Sequence, residues 1–532
     1  MPCLSSRAII LRPPEQAIQA ESHIVSSLQF TPYPGPTELS SGCVLPRSSI
    51  SRVPNELLAE IFRILRAQPS ENSSWVRILR VCKHWFAVAA TLSDLWTRVS
   101  SKQSVQSISR FLSYSKSRPL QVDIYPKEDS SATLFAIGAE IDRMQTLSAT
   151  FSRCYDFHVA ICFIFSRLPS LQDVSMEIIH PYPLANPRIF PLDKCCALQS
   201  LRLVNIDAAF ESGTLSQLTK LTLENVKGLP SLATLVEILR AAPGLENLEL
   251  SGGCPIELLF EDATPVTYLP VHLPKLKRMR LRSEPELPRA LFTILSTPPD
   301  ADIMIYLPVV SLHGVSRTLF LEALPPIESL SNIGGLARIN SLSLRFHGPT
   351  PSLMGFCIDS AGCQPLFALM VVETAYPPTK TPTQEIVHGI TSAIEILGLD
   401  ERVVSLDILG PEEDPSAEKF DVSCLIFALP KLTGLWLRQS GLPSVLSALL
   451  DEWMDDDGDC GVVCPDLKEM QWQDMRFDDE LVVNVMDCLE RRREMGVTLL
   501  ERLSIVGSRN RGLRDEYVNM LERVARKLSY DE

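Results

Sequence analysis

Glycine is scarce in this chain relative to proline, 24 residues against 40 in 532. A collagen-like repeat needs glycine at every third position, so the prolines must punctuate short elements instead. Basic charge is in deficit as well. Asp and Glu number 64 against 50 Lys and Arg, for a formal net charge of −14. That balance removes long-range attraction to nucleic acid or to an anionic membrane surface as a working principle. Long apolar runs are missing too. The longest strongly apolar stretch, Val159–Phe165, falls far short of the ~20 residues that span a bilayer. Near the start, Ala8–Leu11 gives way to Arg12, Pro13, Pro14 and Glu15, which is no signal-peptide core. The 14 cysteines are scattered. Cys82, Cys162, Cys357 and Cys424 lie inside apolar stretches, so reduced, buried thiols in the cytoplasm or nucleus are expected rather than a secreted disulfide scaffold.

Chemistry-bearing motifs are also missing. The sequence holds no G-x-x-x-x-G-K-[ST], no H-E-x-x-H and no G-x-S-x-G, so phosphate cradling, zincin and hydrolase readings lack an entry point. Cys460 and Cys464 have no second pair at zinc-finger spacing, and the adjacent Cys195 and Cys196 read as thiols leading into a strand. In DEWMDDDGD (451–459), Asp455, Asp457 and Gly458 fit positions three, five and six of a calcium loop. Trp453 and Cys464 would then fill the first and twelfth positions, and neither is a ligand there. The stretch reads as a solvated loop. The eight histidines are dispersed and form no triad pattern. No cofactor, no metal and no catalytic residue are expected.

What is present falls into three textures. Residues 1–49, with TPYPGP at 31–36, read as an extended or disordered leader. From Ile50 the pattern becomes helical. Pro54 suits a first helical position, and Leu58, Ile61, Phe62 and Leu65 repeat at the spacing of one helix face, with Leu57 beside them. AQPSENSS (67–74) breaks this helix. A second amphipathic helix is expected from about Ser74 to Ala90, its stripe being Ile78, Val81, Cys82, Trp85 and Ala89. Ser93 or Asp94 could cap a third turn holding Leu95 and Trp96. Three short helices in about 50 residues bury little surface alone, so such a unit calls for a partner.

After a linker helix at 100–117, the phrase apolar-x-x-apolar-x-apolar recurs from about 118 to 532. Copies begin at Leu171, Leu198, Leu218, Leu245, Leu276, Ile339, Leu366, Val403, Leu432, Leu467 and Leu500. The spacing drifts between 20 and 37 residues, and the gap after Leu276 leaves room for a degenerate unit near Ile303 and Ile305. A recurrence of this length marks stacked repeats, and this phrase is the leucine-rich strand. Stretches such as 231–242 and 383–398 read as the helices between strands. One repeat cannot bury its own apolar face, so neighbours must stack. The fold class expected is an α/β repeat: a small three-helix module, then an irregular leucine-rich-repeat solenoid or uneven horseshoe.

Residues 50–99 resemble the F-box family. ISRVPNELLAEIFRIL matches its opening signature, with Val53 where Leu is usual. RVCKHWFAVA matches the second, through Val81, Cys82 and Trp85, and LSDLWTRV supplies the closing Leu95-Trp96. The leader and loose repeats also look like F-box families expanded in mushroom-forming fungi. The resemblance implies a substrate receptor of a cullin–RING (SCF-type) ubiquitin ligase. The F-box would dock on the Skp-type adaptor while the repeats hold a client protein, with no chemistry of its own. The adaptor-contact candidates are Val53, Pro54, Leu57, Leu58, Ile61 and Phe62, with Val81, Trp85 and Trp96 in support. Each taken singly could equally be ordinary core, and for Trp85 and Trp96 core is the favoured reading. On the repeats, client contact falls to residues between the leucines, foremost Trp436, Arg438, Arg280 and Arg282; Trp472, at a repeat core position, is expected inside. An interaction scaffold without ubiquitin transfer is the alternative.

Overall fold

The structure, a computed structural model, describes residues 53–67, 74–125, 131–152, 157–158, 160, 168–180, 189–192, 195–209, 215–226, 232–252, 269–309, 318–346, 352–359, 362–373, 383–410, 421–438, 442–454, 460–474, 479–506 and 515–531. The expected leader lies outside them. The chain divides into two compact units, residues 1–58 and 59–532. The described part of the first unit is Val53–Leu58. Pro54 stands one residue ahead of helix α1 (Asn55–Ala67), and its carbonyl accepts the Leu58 N–H at 3.1 Å. It therefore holds the capping position, one residue earlier than expected.

The second helix is not continuous. A 3-10 turn covers Ser74–Arg80, and helix α2 begins only at Lys83 and runs to Thr91. Cys82 causes the break. Its backbone is extended, and its sulfur accepts the Trp85 N–H at 3.5 Å. A thiol that caps a helix faces outward, so Cys82 is exposed rather than buried as expected. Cys357 is buried, Cys424 is half-buried, and Cys162 lies outside the described residues. The third turn, Ser93–Trp96, starts after Leu92 with no side-chain cap, so neither Ser93 nor Asp94 plays that part. Helix α3 (Val105–Ser115) follows, and here Ser104 does cap, accepting the Ser107 N–H.

All eleven recurring phrases form strands of one sheet, which has seventeen strands among the described residues. It is mixed α/β in character, with helices such as Leu232–Ala241 and Thr383–Ile396 between strands. From Arg98–Ser100 through Leu120–Ile124, Met144–Phe151, Asp173–Ile178, Ser200–Val204, Lys220–Glu224, Asn247–Ser251 and Arg278–Arg282 to Asp302–Val309, each strand pairs in parallel with the next. The last of these fills the gap left around Ile303 and Ile305. Alternation sets the burial: the leucines of SLRLV, KLTLE and NLELS are inside, and the residues between them face outward.

Chain order then reverses. The neighbour of Asp302–Val309 is Gly362–Glu373, not Ser341–Arg345. Ser352–Asp359 and Ser341–Arg345 follow, each antiparallel to the strand before it. Parallel pairing resumes at Ser405–Leu409 and continues through Gly434–Arg438, Glu469–Gln473 and Arg502–Val506 to Leu528–Asp531. The reversed strand Ser352–Asp359 carries no leucine phrase. Its inward position opposite Leu342 is Gly355, where a Cβ would come within 2.6 Å of Ile339 Cδ1. The missing side chain is what lets Ile339 pack there.

Strands share an ending. Asn205, Asn225 and Asp474 follow their strands with φ of 59°, 51° and 54°, and Gly252 does so at 119°. Their N–H groups reach across to Glu224, Ser251, Val506 and Arg282 carbonyls respectively. Asn, Asp and Gly tolerate this left-handed backbone best. The acidic stretch after Asp451 is flanked by a small antiparallel pair, Glu452–Met454 with Cys460–Val462. Asp455, Asp457 and Gly458 lie outside the described residues, and Cys464 is fully buried. No group that could hold a metal occurs among the described residues, and none of their helices is long and apolar enough to cross a membrane.

Candidate functional site

Helix α1 sorts the sequence candidates into two sets. Leu58 and Phe62 are fully buried, while Leu57 is 57% exposed and Ile61 41%. Ile64, which was not among the candidates, is 56% exposed. Leu57, Ile61 and Ile64 follow one another at i, i+4 and i+7, so helix α1 carries an open apolar stripe beside its buried one. Val53 is half-buried and Pro54 exposed. The missed signal was plain enough: Ile64 continues the spacing that starts at Leu57, one position off the stripe that led to the core.

The other candidates sort in the same way. Val81 is 52% exposed and Phe86 41%, the latter again not foreseen. Val81 lies where the helix breaks, which is what turns it outward, and Phe86 lies within helix α2 beyond the break. Trp85 is half-buried, and its indole nitrogen is buried with no hydrogen-bond partner among the described residues. Trp96 is an interior residue, which removes it, with Leu58 and Phe62, from the surface set. Its Nε1 donates to the Ala89 carbonyl at 2.8 Å. Its ring meets Trp75, Phe111 and Tyr114 at 5.3, 5.0 and 4.7 Å between centroids. Phe111 and Tyr114 come from helix α3, so the aromatic cluster ties that helix to the turn before the sheet.

A polar seam joins the helices to the first strands. Arg63 pairs with Asp94 at 2.9 Å and Arg98 with Asp123 at 2.7 Å. Arg66 donates to the Asp94 carbonyl and, at 3.0 Å, to Thr97 Oγ1. Arg63, Arg66, Asp94, Thr97 and Arg98, together with Leu95 and Gln121, line a cavity of about 500 Å³. Burial holds the Arg66 guanidinium below its usual range, Asp94 opposing that shift and Arg98 adding to it. The hydrogen bond from Arg63 to Asp94 raises the Arg63 value.

On the sheet, Trp472 is buried, as its repeat position required. Trp436 is half-buried, and its ring lies over Gly434 of its own strand, where a Cβ would come within 2.6 Å of it. Arg438 is held by Asp407 at 3.0 Å. Arg280 is half-exposed and Arg282 exposed. The sheet therefore does not bring its four client candidates together; it leaves two separate places.

Residues 50–102 match the F-box-like family. No curated protein matches the chain. The chain thus carries an F-box-like domain, a module that implies binding to the Skp-type adaptor of a cullin–RING ligase, followed by a large mixed α/β sheet region.

Proposed function

We propose that this protein is the substrate-recruiting subunit of an SCF-type ubiquitin ligase. The F-box-like domain docks on the Skp-type adaptor, and the sheet region, an irregular leucine-rich-repeat solenoid, holds a client protein. The chain performs no chemistry itself and works in the cytoplasm or nucleus. One observation supports the reading above all: a segment matching the F-box-like family presents an open apolar stripe, Leu57, Ile61 and Ile64, on its first helix. Exposed apolar side chains at regular spacing on a helix are what a groove-forming partner covers. Tethering then raises client lysines to an effective concentration in roughly the millimolar range near the charged conjugating enzyme.

The test is co-purification of the full chain with a Skp-type adaptor. The intact protein should capture it, and Leu57→Asp with Ile61→Asp should abolish capture without unfolding the chain, because both side chains are exposed. Failure of the intact protein to bind, or undiminished binding by the double variant, overturns the proposal. Adaptor binding with no client ubiquitylation would leave a repeat scaffold.

A further inference from the structure

The chain-order reversal builds an outward surface unlike the rest of the sheet. Two rows of in-register residues cross it. One runs Arg282, Tyr306, Met370, Ser352, Arg345, and the other Arg280, Met304, Ala368, Met354, Ser343. Four strand spacings separate Arg282 from Arg345, roughly 19 Å. Between these arginines, Met304, Tyr306, Met354 and Met370 are half-exposed, while the small residues Ala368, Ser352 and Ser343 are buried among them. The surface is a soft apolar floor with guanidinium groups at both ends.

The charge here is not internally balanced. Arg278 has Asp302 at 3.5 Å, and Arg438, further along, has Asp407. Arg280, Arg282 and Arg345 have no ion pair among the described residues. Arg280 Nε is buried with no acceptor among the described residues, although Glu249 stands in register on the neighbouring strand. In a chain of net charge −14, three uncompensated arginines around a methionine and tyrosine floor form a local reversal of sign. Arginine, tyrosine and methionine are residue types enriched where proteins meet, and methionine adapts its shape to the occupant.

We propose that this surface is the client site, and that it takes an extended acidic segment carrying apolar side chains. About six residues of extended chain span the distance between the two ends. Carboxylates meet Arg282 and Arg345, with Arg280 beside them, and an apolar side chain lies on Tyr306 and Met370. The Trp436 and Arg438 surface is satisfied within itself and is not the site. This inference deepens the client-holding role proposed above and rests on it.

The experiment measures fluorescence anisotropy of the full chain with a labelled eight-residue peptide alternating glutamate and leucine, beside versions with glutamine or lysine in place of glutamate. The acidic peptide should bind, its affinity falling with salt, and the other two should not. Arg282→Glu with Arg345→Glu should weaken binding at least tenfold, lysine at both positions less, and Arg438→Glu less than twofold. Should the reversed pair melt early, Arg282→Gln with Arg345→Gln replaces it. No binding, equal binding of the glutamine peptide, or unchanged affinity in the arginine variants overturns the inference. So does a wild-type dimer that these variants convert to monomer, since a second copy would then occupy the surface. Adaptor capture is scored on the same samples: its loss refutes the ligase reading, while peptide failure with capture intact refutes only the client site.

Discussion

Phe62 and Trp85 meet edge to face, their ring centroids 5.5 Å apart, and the contact ties helix α1 to helix α2. Phe62 has no exposed surface, whereas Ile61 beside it is open. Adjacent residues therefore separate stability from docking. Phe62→Ala should cost roughly 3–5 kcal/mol, the range for a fully buried phenylalanine, read as a lower midpoint in urea unfolding. Ile61→Asp should leave that midpoint near wild type and instead reduce adaptor capture.

Trp96 tests the interior of the same module. Trp96→Phe keeps an aromatic ring but removes one of two donors to the Ala89 carbonyl, the indole N–H at 2.8 Å, and leaves the Leu92 N–H at 3.1 Å. Losing one hydrogen bond to an acceptor that keeps another costs about 0.5–1.5 kcal/mol. The variant should melt earlier than wild type, and adaptor capture at low temperature should persist. Equal stability would show that the indole hydrogen bond contributes nothing.

Arg492 is 4% exposed and donates to three backbone carbonyls, of Leu449, Val463 and Cys464, at 2.9, 2.7 and 2.7 Å. It sits on the helix Asp479–Glu494 and clips that helix to the segments on either side of the acidic stretch. Burial lowers its pKa, with Cys488 and Cys464 opposing. Arg492→Met should destabilise by on the order of 3 kcal/mol, because three carbonyls lose a donor. Arg492→Lys should not restore stability, since an ammonium lacks the planar fork that reaches all three. Chemical denaturation of the three proteins decides it.

Burial pushes the Cys464 thiol up to about 12 and the Cys488 thiol up to about 11, from an ordinary value of 9.0. The unfolded chain therefore releases these protons first as pH rises. Their contribution to stability is complete below pH 9 and declines from there toward pH 12. Thermal midpoints should fall across that window, and Cys464→Ala should flatten the fall. At pH 8 in the native state, an alkylating reagent should modify Cys82, Cys196 and Cys363, which are exposed, and spare Cys464 and Cys488. Rapid labelling of Cys464 would refute the buried placement.

The recurring leucine phrase made the strands legible because alternation over five residues leaves one face apolar, as at Leu201 and Leu203 or Leu435 and Leu437. Strands without the phrase, such as Leu120–Ile124 and Ser352–Asp359, stayed hidden. Gly355 shows why: an inward position held by glycine sends no periodic signal, though its neighbours pack around it. In the helical module, the stripe through Leu58 and Phe62 led to the core, and exposed Ile64 and Phe86 went unnoticed. Helical spacing marks a face without saying whether the protein itself covers it.

By itself the sequence determined the ordered F-box-like signature between 50 and 102, the alternation that makes strands, and the left-handed turns after them at Asn205, Asn225 and Asp474. These are local matters of side-chain period and backbone freedom. Tertiary structure alone decided which apolar residues remain open, that Cys82 caps a helix instead of filling a core, and that Gly362–Glu373 inserts beside Asp302–Val309. Those outcomes depend on what packs from elsewhere in the chain. For the same reason Arg282 and Arg345, 63 residues apart in the sequence, stand at the two ends of one surface.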